Sequence, residues 1–409
     1  MDMARFSDSM QEDDAADASQ FLSRVGYVVL ALAAPASVVL HPLAIFVLFP
    51  IGVVLVIFAA VLDPDAGALK RVGEAFRSPM TLVGLAGLGW AALSILWTPF
   101  PVAAAQHVFK LTLLTLAVVL ALTTTREHAR ATDLYLFPIG LVLIMAAIVA
   151  AWAAAQQGAP LDQSRIPEGG RALAVLLFPA MGALAARGRN GYARLLLILA
   201  FIYASVIGET ATTTALFAGF AALSFAVSDL DRTAHDLSWL AAGLILLSPL
   251  VPALAPTFAW WMLHAKLSSL PAPYPSLGVA TLVFLHDKAH LLTGHGFETV
   301  VRGVRAGILP PQTPRALVFE IWYELGIVGA LIAAVGAWLG FRAIGKAPPR
   351  LAPYLAAAFA CNLTLGFLSV DLSDMTWVTL LAIGAITTGA AAHSQYRTTR
   401  PSAANLANF

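Results

Sequence analysis

Charge is what this sequence has least of. Asp, Glu, Lys and Arg make up 11% of its 409 residues against 59% hydrophobic, and its mean hydropathy is +0.80. That excludes a soluble globule of this length, which needs far more polar surface; the bilayer is the expected solvent. Neither sign of charge prevails, since 24 basic and 23 acidic residues leave +1. The basic field of a nucleic-acid binder is therefore absent. Cysteine is almost missing: the single Cys361 lies in an apolar run. It reads as a small buried hydrophobe and excludes disulfide scaffolds and cysteine-rich metal sites. Residues 1–20, MDMARFSDSMQEDDAADASQ, lack the positive region and small-residue cleavage site of a secretory signal, and read as a disordered cytoplasmic tail.

What is abundant is long apolar runs. A membrane helix needs about 20 predominantly apolar residues. Such runs fall near 25–40, 42–62, 79–97, 107–123, 133–155, 171–186, 194–208, 210–228, 237–257, 316–341, 353–370 and 375–392. The expectation is an all-α integral membrane protein with about 12 transmembrane helices. Helices one to nine occupy 21–257, a large extracytoplasmic loop 258–315, helices ten to twelve 316–392, and a cytoplasmic tail 393–409. Basic residues orient it. With both termini in the cytoplasm, the inner loops collect Lys70, Arg71, Arg77, Arg126, Arg130, Arg187, Arg189, Arg194, Arg232, Arg342, Lys346 and Arg350, whereas the loops 98–106, 208–209 and 371–374 hold no lysine or arginine. Two outer segments break that pattern: 156–170 contains Arg165, and 258–315 holds Lys266, Lys288, Arg302, Arg305 and Arg315. Long loops cross regardless of charge, and loops of this length are functional or disordered. Within this one, AWWMLHAKL and PSLGVATLVFLHDKAHLL read as short helices lying on or dipping into the membrane. No internal repeat suggests the inverted halves of a transporter.

Residues 294–329 read GHGFETVVRGVRAGILPPQTPRALVFEIWYELGIVG: a glycine turn, a basic stretch, a proline-rich link and a new membrane helix. This segment resembles the signature region of the O-antigen ligase and O-antigen polymerase superfamily. Its members carry Gly-x-Gly in a large external loop that leads into a helix of pattern His-Asn … Glu-Leu-Gly-x-x-Gly. The matching positions are Gly294, Gly296, Phe319, Glu320, Trp322, Glu324, Leu325, Gly326 and Gly329. The likeness is specific at 313–330 and loose over 170–330. Arg315-Ala316 stands where the family has His-Asn, and GETATTTAL, with Glu209, stands where the family tends to place Ser-Arg-Gly. The family histidine is thought to deprotonate the acceptor hydroxyl, and an arginine stays protonated and cannot replace it. Either the site is rebuilt from other residues or the chemistry is lost.

The resemblance implies the C-type lipid-linked glycosyltransferase fold, a bacterial inner-membrane location and an undecaprenyl-diphosphate-linked glycan donor. It also implies a glycan or lipid acceptor at the periplasmic face, and neither nucleotide sugar, cofactor nor catalytic metal. Such a transfer needs cations for the departing diphosphate and a base for the acceptor proton. The cation candidates are Arg165, Arg171, Arg302, Arg305 and Arg315, because guanidinium forks bind phosphate oxygens in pairs; each could instead meet lipid headgroups or water. The catalytic candidates are His295, Glu320 and Glu324. His295 sits between two glycines that let a substrate approach the backbone, or is merely a histidine in a solvated turn. Glu320 and Glu324 share a helix face, where an intramembrane acid is functional by default unless it pairs with Arg315 or a backbone donor. Asp371 and Asp374 could complete an acidic wall or keep a turn wet. His286 and His290, in HDKAH, have the spacing of zinc ligands but no evident third ligand, which speaks against metal. The rival readings are an envelope transporter or flippase, and a catalytically silent family member that assists polysaccharide assembly.

Overall fold

The computed structural model describes residues 3–62, 68–124, 135–157, 165–206, 208–250 and 288–393. Every regular element among them is helical. Helix α1 (Met3–Val28) passes through a π turn, Val29–Ala33, into α2 (Ala34–Leu40), and a 3-10 turn at Pro42–Ala44 leads to α3 (Ile45–Leu62). Then come α4 (Ala68–Phe76), α5 (Pro79–Leu93), α6 (Pro101–Thr124), α7 (Leu136–Gln156), α8 (Arg165–Ala186), α9 (Asn190–Val206), α10 (Thr210–Ser228) and α11 (Leu230–Leu247). A 3-10 turn at Lys288–Leu291 and the short α12 (Thr299–Arg305) precede α13 (Leu317–Ile344), α14 (Ala352–Leu368) and α15 (Met375–His393).

Nine helical stretches among the described residues are long and apolar enough to cross a membrane, which is the architecture of an all-α membrane protein. The other three expected spans fall on helices that differ from these. Asn190–Ala204 and Ala352–Leu368 are apolar but shorter. Helix α11 opens with LDRTAHD, whose Arg232 and Asp236 pair in the open; its expected extension to 257 lies partly outside the described residues. The segment read as a tail also differs: α1 runs through it, and Ser19 is buried, its Oγ donating to the Ala59 carbonyl at 2.7 Å. The end of that stretch therefore packs against α3. Residues 258–287, with the two amphipathic stretches' main parts and His286, lie outside the described residues, as do 394–409.

Helix α8 is the centre of the bundle. Its apolar window is 94% buried, and it packs against α7, α9, α14 and α15. The cause is in its sequence, ALAVLLFPAMGALAA, where small residues recur on every side and let neighbouring backbones come close. Large apolar side chains such as Phe46, Val54, Leu82, Phe109 and Ile198 instead face outward, which suits a lipid environment and would be a liability in water. Around this scaffold α13 packs on α5 and α11, and α10 on α14. The segment 288–316, the loop after α5, the turn between α14 and α15 and the start of α8 gather at one end of the bundle, referred to below as the loop end.

Candidate functional site

Helix α13 is broken. Gly326 has φ 65° and ψ −161°, so the carbonyls before it lose their helical partners. In an apolar surrounding each would be costly, and the Gly-His-Gly turn supplies what is missing. The backbone N–H of His295 donates to the Tyr323 carbonyl and that of Gly296 to the Glu324 carbonyl, both at 2.9 Å, while Trp90 Nε1 donates to the Leu325 carbonyl at 2.9 Å. The approach is so close that a Cβ on Gly294 (φ 74°) would lie 2.1 Å from the Glu324 oxygen, and one on Gly326 2.5 Å from the Leu292 oxygen. The two glycine motifs therefore belong to one interlocked junction.

Glu324 extends that junction. It is 2% exposed, and its carboxylate turns back into the loop, with Oε2 accepting from the Glu298 N–H at 3.0 Å and Oε1 from the Val300 N–H at 2.8 Å. Glu298 takes the left-handed conformation, φ 67°. Ser94 and Thr98 complete the clamp: Phe297 N–H donates to Ser94 Oγ at 3.1 Å and Thr98 Oγ1 to the Phe297 carbonyl at 2.8 Å. His295 is half-buried, stacked between His290 and Tyr323 with ring centroids 4.6 and 4.0 Å away. Its Nδ1 donates to the Tyr323 carbonyl at 3.1 Å. Of the three expected catalytic residues, then, Glu324 and His295 both spend ring or carboxylate atoms on backbone.

Glu320 points elsewhere. It is 1% exposed; Oε2 accepts from the Leu372 N–H at 2.6 Å, and Oε1 has no hydrogen-bond partner among the described residues. The turn it holds, 370–375, is a second focus. Leu317 N–H donates to the Val370 carbonyl at 2.7 Å. Arg171 Nη1 donates to Asp374 Oδ2 at 3.0 Å, while Asp374 Oδ1 caps α15 by accepting from the Trp377 N–H at 3.0 Å. Arg171, a cation candidate, and Glu320, a catalytic candidate, are thus tied to residues two apart in sequence.

A pocket lies on each side of this turn. A small one is lined by Glu168, Arg171, Asp374, Thr376, Trp377 and Leu380, and Arg171 Nε and Trp377 Nε1 are buried there without a hydrogen-bond partner among the described residues. The other is a polar cavity of about 170 Å³ whose walls include His107, Lys110, Glu298, Arg302, Arg305 and Ser373. In it His107 Nδ1 and Glu298 Oε1 are in hydrogen-bond contact, and Arg302 Nε lies 3.4 Å from Glu298 Oε2. Burial works against the charged form of Glu298, but the hydrogen bond and charge of His107, and then those of Arg302, outweigh it and hold the carboxyl below the usual glutamate range.

Of the expected cations, the structure brings Arg302 and Arg305 to this cavity and Arg171 to its neighbour. Arg315 is exposed just before α13 and lines neither pocket. The side chain of Arg165, which opens α8, lies outside the described residues.

His107, Lys110 and Glu298 were not expected from the sequence. The signal for the first two was present: HVFK puts two ionisable groups three apart at the start of a span, on one helix face. Glu298 carries no such signal, since nothing in GHGFET tells which way its carboxylate turns.

An apolar groove of about 610 Å³ completes the surroundings. It runs along α13 from Leu317 to Ile344, with Leu355, Phe359 and Leu381 opposite, and Trp377 belongs both to it and to the Arg171 pocket. No protein-family model, curated protein or solved structure matches the chain, so what it does must be argued from this arrangement of groups.

Proposed function

We propose that this chain is an O-antigen ligase or polymerase-like glycosyltransferase of the bacterial inner membrane, with the fold of the C-type lipid-linked enzymes. It transfers a glycan from undecaprenyl diphosphate to the hydroxyl of a glycan or lipid acceptor at the periplasmic face. Both termini are cytoplasmic, because that orientation sends the basic loops inward and the loop end outward.

The observation that carries this reading is the shared Trp377. A pocket with a partly unsatisfied arginine adjoins, through one residue, an apolar groove lined by residues from Leu317 to Ile344 of α13. The matching ligand has a phosphate at one end and a long hydrocarbon at the other. Arg171 offers a guanidinium to the phosphate, the Trp377 indole N–H adds a donor, and the groove takes the prenyl chain. On the far side of the turn, Lys110, Arg302 and Arg305 supply charge to stabilise the leaving diphosphate.

Deleting the gene and examining surface glycan by gel and membrane extracts by mass spectrometry tests the proposal. The expected result is loss of a mature surface glycan with build-up of its lipid-linked precursor. Unchanged surface glycan and no precursor would overturn it. Loss of glycan that an Arg171→Ala, Lys110→Ala double variant fully restores would favour the silent-partner reading instead.

A further inference from the structure

His107 has a one-sided environment. Its Nδ1 faces the Glu298 carboxylate, and an ionised carboxylate only accepts hydrogen bonds, so Nδ1 carries a proton; in the neutral ring, the form a base needs, the lone pair is then on Nε2. The ring is fixed by an edge contact with Phe297, centroids 5.2 Å apart. Nε2 is buried and without a hydrogen-bond partner among the described residues, in a side chain that is 8% exposed. A buried acceptor left unsatisfied is costly, and this one belongs to a residue lining a cavity of about 170 Å³, several times the ~30 Å³ share of a water molecule. Lys110 lies on the same face of α6, and Arg302 and Arg305 line the opposite wall.

We infer that His107 is the base of this site, that Glu298 is its positioning residue, and that the acceptor enters through the cavity walled by Lys110, Arg302, Arg305 and Ser373. The inference rests on the transferase reading and names the group that does the work of the missing family histidine. The acceptor O–H bond breaks and its proton passes to Nε2. The oxygen forms a bond to the anomeric carbon of the donor glycan, and the bond from that carbon to the diphosphate oxygen breaks. The electron pair departs on the lipid diphosphate, where the nearby cations neutralise it, and Glu298 stabilises the imidazolium until it gives its proton to water. His295 does not line this cavity.

The test uses purified full-length protein in detergent. Lipid-linked glycan extracted from the deletion strain is the donor, and membranes of that strain supply the acceptor. His107→Gln should lower kcat by roughly 10²–10⁴-fold, with donor KM within about twofold and an unchanged melting temperature. Glu298→Gln should lower kcat less, about tenfold, and Glu298→Asp should recover part of it, which a packing role alone does not predict. A wild type that makes no product removes the transferase reading, and the inference with it. An active wild type with His107→Gln above a tenth of its rate removes the inference alone. If His107→Gln is inactive but its melting temperature falls, His107→Gly with added imidazole decides: restored transfer supports the base role, and no restoration overturns it.

Discussion

The junction at Gly326 and the cavity at His107 lie on two faces of the same stretch of chain, and they differ in how their polar atoms are used. At the junction the carbonyls of Tyr323, Glu324 and Leu325 and both oxygens of Glu324 have donors. On residues that line the two pockets, the buried atoms His107 Nε2, Arg171 Nε and Trp377 Nε1 have none among the described residues. A satisfied network fixes a shape, whereas buried atoms left unpaired on residues that line a cavity point to a ligand. The most conspicuous motif in this sequence is therefore the frame, and the groups proposed as reactive hang from its edge.

Substitution at Gly294 should have the largest effect on the frame. Gly294→Ala puts a methyl group 2.1 Å from the Glu324 oxygen at a positive φ, and should cost about 2–4 kcal/mol. Low folded yield and a lowered melting temperature in detergent are expected. A Gly294→Ala protein as stable as wild type would mean that the loop is not locked to α13 at all.

Glu324→Gln comes next. It keeps the shape but presents an NH₂ to one of the two backbone donors, and should lose about 1–3 kcal/mol of stability. The contrast with His107→Gln sharpens the comparison: the first should lower the melting temperature along with activity, the second activity alone. If the two behave alike, frame and reactive groups are not separable in the way argued above.

How much of this was legible beforehand follows from the same physics. Apolar run length is a property of each segment, so the described part of each expected span falls largely on a helix, although Asn190–Ala204 and Ala352–Leu368 are shorter than the nine long ones. Gly294, Gly296, Glu324 and Gly326 stand out only through the resemblance to a family signature; the break in the helix at Gly326 and the donors that compensate it show only in the fold. That compensation is a contact between residues 28 apart, His295 and Tyr323, and spacing does not reveal it. His107 and Glu298 meet across 191 residues, and that pairing depends on how α6 packs against the 294–305 segment. Arg315 was conspicuous for where it stands in a pattern, which says nothing of where its side chain goes.

At the Arg171 pocket the effects should be smaller. Asp374→Asn keeps the cap on the Trp377 N–H but weakens the bond to Arg171 in a half-buried setting, and should cost about 1 kcal/mol. Asp374→Ala removes cap and partner together and should cost about 2 kcal/mol. Thermal unfolding of the two variants side by side separates the contributions. An Asp374→Asn protein as stable as wild type would mean that the ion pair contributes nothing and that Arg171 is already available to a ligand, whereas equal losses in the two variants would mean that the cap contributes nothing.

Arg315 should matter least to stability and tests the comparison from outside both regions. It is exposed and lines neither pocket, so Arg315→Ala should leave the melting point almost unchanged, within about 0.5 kcal/mol of stability. Its effect on transfer is a separate question. If Arg315 reaches the diphosphate once donor is bound, alanine loses charge-assisted hydrogen bonds worth about 1.5–3 kcal/mol each, and lysine, which keeps the charge without the fork, loses less. The expected order of donor affinity is then wild type, Arg315→Lys, Arg315→Ala. Arg315→His places an imidazole where the resembling family has one, and with His107 as base it should bind donor no better than lysine and gain nothing in kcat. A rise in kcat for Arg315→His would move the base to the start of α13 and return His107 and Glu298 to the frame.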